Sequence, residues 1–110
     1  MILATDVWVG ALIRRAENGG AFAAVVRKGD PRAGAVLVKV LARKEGAARL
    51  YASAVRGEGE SVWMQPVASL SEADLDAYVE RARRFDPDIW VVEIDDAEGR
   101  HFLTEPVEGD

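Results

Sequence analysis

The stretch Ser71 to Asp96, SEADLDAYVERARRFDPDIWVVEIDD, holds one complete amphipathic helix, one turn and one apolar strand. Ser71 is predicted to be the N-cap, and Asp74 completes a capping-box pattern three residues later. Pro87 disfavours the helical conformation at Asp86, so the helix is expected to end there. The apolar side chains recur at three- and four-residue spacing, which predicts one buried stripe: Leu75, Tyr78, Val79, Ala82 and Phe85.

The strand that follows this helix reads IWVVEI, from Ile89 to Ile94. Such a run of β-branched and apolar residues is typical of a strand that is covered along most of its length. We therefore expect the helix and the strand to pack on one another. Trp8, Trp63 and Trp90 are interpreted as core residues.

Upstream, a first helix is predicted from an N-cap at Thr5 to about Asn18, where Gly19 and Gly20 supply the stop. Further strands are predicted at residues 21–28, 35–43, 48–55, 61–66 and 100–104. The Pro- and Gly-containing connection at residues 29–34 indicates a hairpin between the first two strands. Pro66 ends the fourth strand and favours a place near a sheet edge.

The alternation of side chains between the two faces of a strand predicts a register for the hairpin formed by the second and third strands. If Glu45 to Ala47 forms a three-residue loop, Lys39 falls opposite Ser53 and Arg43 falls opposite Arg49. One face of this hairpin would then be mixed and basic, and the other would meet the helices. The fold class expected is α+β, an antiparallel meander sheet with two helices packed mainly on one face.

Length and composition favour a single domain over residues 1–110, with residues 1–4 and 105–110 expected to fray. The absence of cysteine excludes disulfides and cysteine metal sites and suits a reducing compartment. No apolar run approaches the ~20 residues that a membrane helix needs, and residues 1–4 lack the features of a signal peptide. A cytoplasmic location with no membrane partner is therefore expected.

The charge is distributed unevenly along the chain. Residues 1–56 carry a net charge of +6 and residues 57–110 a net charge of −11, within a total of −5. The total disfavours nucleic acid as a partner. The two halves can neutralise each other within one monomer, pair between monomers, or leave a basic surface free for an anionic partner.

The basic residues of the first half form the candidate binding site. They fall on two consecutive predicted hairpins, beside one tyrosine: Arg27, Lys28, Arg32, Lys39, Arg43, Lys44, Arg49 and Tyr51. Such a basic face suits a phosphate-bearing partner or an acidic protein surface. The function predicted is a small non-enzymatic binding or protein-interaction module, with a homodimer expected because short strands leave open sheet edges.

The alternative is a small hydrolase or metal-assisted enzyme that uses the carboxylates between Asp86 and Asp96, Glu93 among them, together with His101. The structural interpretation of these residues is that Asp86 and Asp88 cap the backbone around Pro87 and that His101 lies on the surface. The run from Asp95 to Gly99 lacks the ligand pattern of a calcium loop. No catalytic residue, metal or cofactor is predicted.

Three runs in the chain resemble a family of small uncharacterised alphaproteobacterial proteins, domain-of-unknown-function family 1491. They are FAAVVRKGDPRAGAVLVKV from Phe22, ARLY from Ala48 and RRFDPDIWVVEIDDAEGRHFL from Arg83, and FDPDIWVVEI is the most specific segment. The resemblance implies a bacterial, cytoplasmic accessory protein. It carries no catalytic residue or cofactor over to this chain.

Overall fold

A computed structural model describes residues 3–109. In chain order the elements are α1 (Thr5–Asn18), β1 (Phe22–Arg27), β2 (Val36–Ala42), β3 (Ala47–Arg56), β4 (Glu60–Met64), α2 (Glu72–Phe85) and β5 (Trp90–Asp96). The α+β class is therefore confirmed, and both helices lie where the sequence predicted them.

The five strands form one mixed sheet in the order β1-β5-β2-β3-β4. The expected antiparallel meander is wrong at one place, because β5 inserts between β1 and β2 and runs parallel to β2. The predicted hairpin between the first two strands does not form. β4 lies at an edge of the sheet, as predicted.

Two glycines leave room for β5 to enter between β1 and β2. A Cβ atom on Gly29 or on Gly34 would collide with the backbone oxygen of Asp88 and with the ring of Trp90. The connection also holds β5 by hydrogen bonds, from the Asp30 amide to the Asp88 oxygen (2.9 Å) and from the Trp90 amide to the Ala35 oxygen (2.8 Å). The segment interpreted as a tight hairpin turn therefore wraps around the start of β5.

The two helices lie on opposite faces of the sheet, which corrects the expectation that both pack on one face. Alternate residues of β2 divide between two hydrophobic clusters. Val36, Val38 and Val40 pack in the cluster that contains α1, whereas Leu37 packs in the cluster that contains Leu75 of α2. A sheet that is covered on both sides explains the continuous apolar runs in β2 and β5.

The β2–β3 hairpin has a different register from the predicted one. Its loop is the four-residue segment 43–46, so that Lys39 lies opposite Leu50 and Val38 lies opposite Tyr51. The difference is three residues, an odd number, and it moves every side chain of one strand to the other face relative to its neighbour. Lys39 and Arg49 consequently lie on opposite faces of the sheet.

The helices begin and end where the sequence predicted, but the predicted capping hydrogen bonds are not formed. Ser71 occupies the N-cap of α2, but its side chain makes no capping hydrogen bond. Ala4, not Thr5, is the N-cap of α1, and the Thr5 hydroxyl donates to the backbone oxygen of Gly34 (3.1 Å). The left-handed residue after α1 is Gly20, with φ of 91°.

The segment after β5 forms no strand at residues 100–104, contrary to the prediction. Residues 106–108 are hydrogen-bonded to β4: the Trp63 amide donates to the Pro106 oxygen and the Glu108 amide donates to the Trp63 oxygen, both at 2.8 Å. The fraying expected at residues 1, 2 and 110 lies outside the described residues. Within residues 3–109, neither helix has the length and apolar character to cross a membrane.

Candidate functional site

The predicted basic face does not exist as one surface, and Lys39 shows why. Its side chain is only 8% exposed and binds carboxylates of α2, with Nζ 2.8 Å from Glu72 Oε2 and 2.7 Å from Asp76 Oδ1; Glu93 Oε2 lies at 3.5 Å. Burial alone would lower the pKa of Lys39, but the bonds to Asp76 and Glu72 and the charge of Glu93 outweigh it and raise the pKa. Lys39 therefore links β2 to α2 and to β5 by ion pairs within the chain.

The other basic side chains of the β2–β3 hairpin also form ion pairs within the chain. Arg43 pairs with Asp95, Lys44 with Glu98, and Arg49 with Glu45. Tyr51 is buried and meets the ring of His101 edge-on, with the centroids 5.1 Å apart. The pairs of Arg43 and Lys44 join the basic half of the chain to the acidic half within one monomer, whereas the Arg49 pair lies within the basic half.

The carboxylates of the enzyme alternative do not converge with His101. Asp86 and Asp88 precede β5, while His101 follows it, so the length of the strand separates them. Asp86 Oδ1 accepts the amide of Asp88 (3.0 Å), as the structural interpretation expected. His101 Nδ1 accepts the amide of Leu103 at 2.9 Å. Among the described residues, no cluster of His, Cys, Asp or Glu has the geometry of a metal site.

The turn after β5 is held by a buried carboxylate. Asp96 accepts hydrogen bonds from the Arg100 side chain, Nε at 3.0 Å and Nη2 at 2.8 Å, and from the Arg100 amide at 2.9 Å. The side-chain bonds from Arg100 are the main cause that lowers the pKa of Asp96 well below its ordinary range, against the opposing effect of burial. This acidic turn is therefore structural.

One edge of the sheet is covered and the other is open. At the β4 edge, the C-terminal segment binds both backbone groups of Trp63, and Val107 forms a parallel bridge with it. Glu105 fixes that segment by accepting both indole N–H groups, from Trp8 (3.1 Å) and from Trp63 (3.0 Å). At the opposite edge, β1 pairs with β5 on one side and has no strand on the other among residues 3–109.

The open strand β1 exposes large apolar side chains. Phe22 is 73% exposed and Val26 is 61% exposed. Ala24 is exposed and Ala23 packs against the α1 cluster, so the two faces of the strand differ. No residue of β1 belongs to the α2 cluster, which leaves the face that carries Phe22 and Ala24 uncovered.

Arginines gather where β1 ends beside the end of α2. Arg27 donates from Nη2 to the Pro87 oxygen at 2.8 Å. With Glu80, Arg83 and Arg84 it lines a cleft of about 180 Å³. We call this feature the arginine cleft; of the eight residues predicted as the candidate binding site, it contains only Arg27. Lys28 and Arg32 lie in or beside the connection that wraps β5.

Sequence reasoning missed both the open edge and the arginine cleft. The run AFAAVVRK was correctly predicted as a strand, but the predicted hairpin hid its free edge. Arg83 and Arg84 were not among the predicted binding residues. The exposure of Phe22 follows from the strand order, which no local pattern in the sequence specifies.

The comparisons with known proteins agree on one family. A family model described as a protein of unknown function, DUF1491, matches residues 3–104. A crystal structure of a DUF1491 family protein from Caulobacter crescentus CB15 is 72% identical, with a TM-score of 0.95 over 97% of this chain and 100% of that chain. A solution structure of an A. tumefaciens protein is 36% identical, with a TM-score of 0.80 over 96% and 95% of the two chains. Among curated proteins, none matches the chain.

Proposed function

The chain belongs to the DUF1491 family, and we propose that it is a non-enzymatic interaction module that forms a homodimer by pairing β1 with β1 of a second copy. The observation that carries the proposal is the contrast between the two sheet edges. The C-terminal segment covers β4, whereas β1 presents an open, apolar edge. An open edge strand is a template for another strand.

Antiparallel pairing of two identical strands is favoured by the sequence of β1. A two-fold axis at Ala24 sets Phe22 opposite Val26 of the second copy and leaves the small Ala24 side chains facing each other. Both exposed apolar residues then acquire an apolar neighbour across the interface. The bulge between Val25 and Arg27 limits the paired segment to a few residues, so the side chains must contribute to affinity.

Charge also favours a second copy in this orientation. The C-terminal end of β1 carries Arg27 and Lys28, and the N-terminal end follows Glu17 and the C-terminus of α1. Antiparallel pairing brings the basic end of one strand beside the acidic residue and the negative end of the helix in the other copy. A parallel arrangement would place like charges together.

The enzyme alternative is the weaker proposal. It requires Asp86, Asp88, Glu93 and His101 to share a pocket, and Glu93 instead lies beside Lys39 on the α2 face. A cytoplasmic location is part of the interaction-module proposal, since a chain without cysteine needs no oxidising compartment.

A single cysteine at the proposed axis tests the dimer directly. Opposite Cα atoms in antiparallel strands lie about 4.5 to 5.5 Å apart, which a disulfide spans. Ala24→Cys should give a disulfide-linked dimer under oxidising conditions. The matched control is Val55→Cys, since Val55 is 71% exposed on a strand with two neighbours and should remain monomeric on a non-reducing gel.

A second variant tests the same edge without oxidation. Ala24→Arg places two like charges across the axis, and sedimentation should show a folded monomer. A dimer that persists in this variant, or Val55→Cys cross-linking as fast as Ala24→Cys, would overturn the β1 pairing.

A further inference from the structure

We propose that the arginine cleft is a binding site for a phosphate group, held between the guanidinium groups of Arg27, Arg83 and Arg84. The site lies within one chain and does not depend on the proposed dimer. It differs from the basic face expected from the sequence, because it combines the end of β1 with the last turn of α2.

The charges around the arginine cleft are incompletely neutralised. Glu80 is the one carboxylate among its lining residues, and it pairs with Arg83 at 3.1 Å. Neither Arg27 nor Arg84 forms an ion pair with any residue in the described part of the chain. Asp86 and Asp88 flank Pro87, but neither carboxylate reaches Arg27.

Arg27 is held in place while part of its guanidinium lacks an acceptor. The bond from Nη2 to the Pro87 oxygen anchors the side chain beside the helix end. Its Nε is shielded from solvent and has no hydrogen-bond partner within residues 3–109. Arg27, which lines the cleft, therefore has a buried donor that no group in the described part of the chain satisfies.

The chemistry of the lining groups selects the ligand class. Guanidinium groups bind phosphate and carboxylate oxygens through paired N–H donors. Three guanidinium groups around a small cleft suit a tetrahedral oxyanion, which offers oxygens in several directions. The C-terminal end of α2 carries negative partial charge and opposes an anion, so the arginines must supply the attraction.

Titration with inorganic phosphate tests the site, with chloride at equal ionic strength as the reference. NMR signals of the arginine Nε–H groups report each side chain separately. Phosphate should shift the Arg27 and Arg84 signals in a saturable manner, and acetate should bind at least about tenfold more weakly. A shift that grows linearly with phosphate, or acetate binding as tightly as phosphate, would overturn the assignment.

Matched substitutions on one helix separate the cleft from general surface charge. Arg84→Gln should weaken phosphate binding by about tenfold or more. Arg81→Gln is the control, since Arg81 lies over the Tyr78 ring and does not line the cleft. The affinity of this variant for phosphate should equal that of the parent protein. Equal losses in both variants would show attraction to net charge alone and would overturn the site. Ala24→Arg, titrated in parallel, should retain phosphate binding in the monomer.

Discussion

At the scale of single residues, two buried ionic groups stabilise the fold: Lys39 pairs across the basic and acidic halves of the chain, and Asp96 pairs within the acidic half. Lys39 crosses from the centre of the sheet to α2, and Asp96 closes the turn after β5 with Arg100. Each group is buried and each is surrounded by partners. A buried charge that loses its partner is costly, so both positions are sensitive to substitution.

Lys39→Ala should lower the free energy of unfolding by about 2 to 3 kcal/mol. The loss is at the low end for a buried pair, because Glu72 and Asp76 are each about half exposed and water can solvate them afterwards. Urea unfolding measures it. Lys44→Ala is the control, since the exposed pair with Glu98 should be worth less than about 1 kcal/mol. Equal losses in the two variants would contradict the burial of Lys39.

Asp96→Asn should cost about 2 kcal/mol at neutral pH, through loss of charged hydrogen bonds with Arg100. The folded pKa of Asp96 lies below the unfolded value of about 3.9, so its stabilisation is complete above that value and is lost as the pH falls through the folded pKa. Between about pH 5 and pH 2 the parent should therefore lose more stability than the variant. Parallel pH profiles from urea melts would contradict this role.

At the scale of elements, α2 is stabilised by its buried face more than by its cap. Leu75 is fully buried against Ile89 and Val91, and Asp86 ends the helix before Pro87. The Ser71 side chain makes no capping bond. The sequence pattern therefore located the start of the helix without describing the interaction there.

Ser71→Ala should change the free energy of unfolding by less than about 0.5 kcal/mol. This is smaller than the ~1 kcal/mol that an N-cap hydrogen bond is worth. The thermal midpoint, compared with the parent, checks the expectation. A loss near 1 kcal/mol would show that Ser71 caps the helix in solution.

At the scale of the whole molecule, charged side chains form ion pairs within the monomer, whereas the exposed edge of the sheet at β1 is apolar. Charge of both signs is used within the monomer, from Lys39 on β2 to Arg56, which pairs with Glu60 and Glu108. The open edge of β1 is apolar over most of its length. Association through β1 should therefore depend weakly on salt.

Sedimentation at low salt and at about 0.5 M salt should show the same dimer, because exposed charge pairs are screened at that concentration and apolar contacts are not. A monomer under both conditions would contradict the dimer. Dissociation only at high salt would show that charge pairing holds the two copies together.

Local signals in the sequence were sufficient to predict most elements. Pro87 ended α2, Gly20 followed α1, and the apolar run from Ile89 predicted β5, because these features act through neighbouring residues alone. The burial of all three tryptophans followed from their size and apolar surroundings. Family membership was also evident from the segment around FDPDIWVVEI.

Only the tertiary structure decided the strand order, the faces and the candidate sites. Insertion of β5 between β1 and β2 depends on contacts between residues far apart in sequence. The turn residues at positions 29–34 do not indicate these contacts. A three-residue difference in the β2–β3 register put Lys39 and Arg49 on opposite faces of the sheet, and α2 covers the face of Lys39, so the predicted basic face is dispersed. The open β1 edge and the arginine cleft exist because two distant segments meet, which no local pattern specifies.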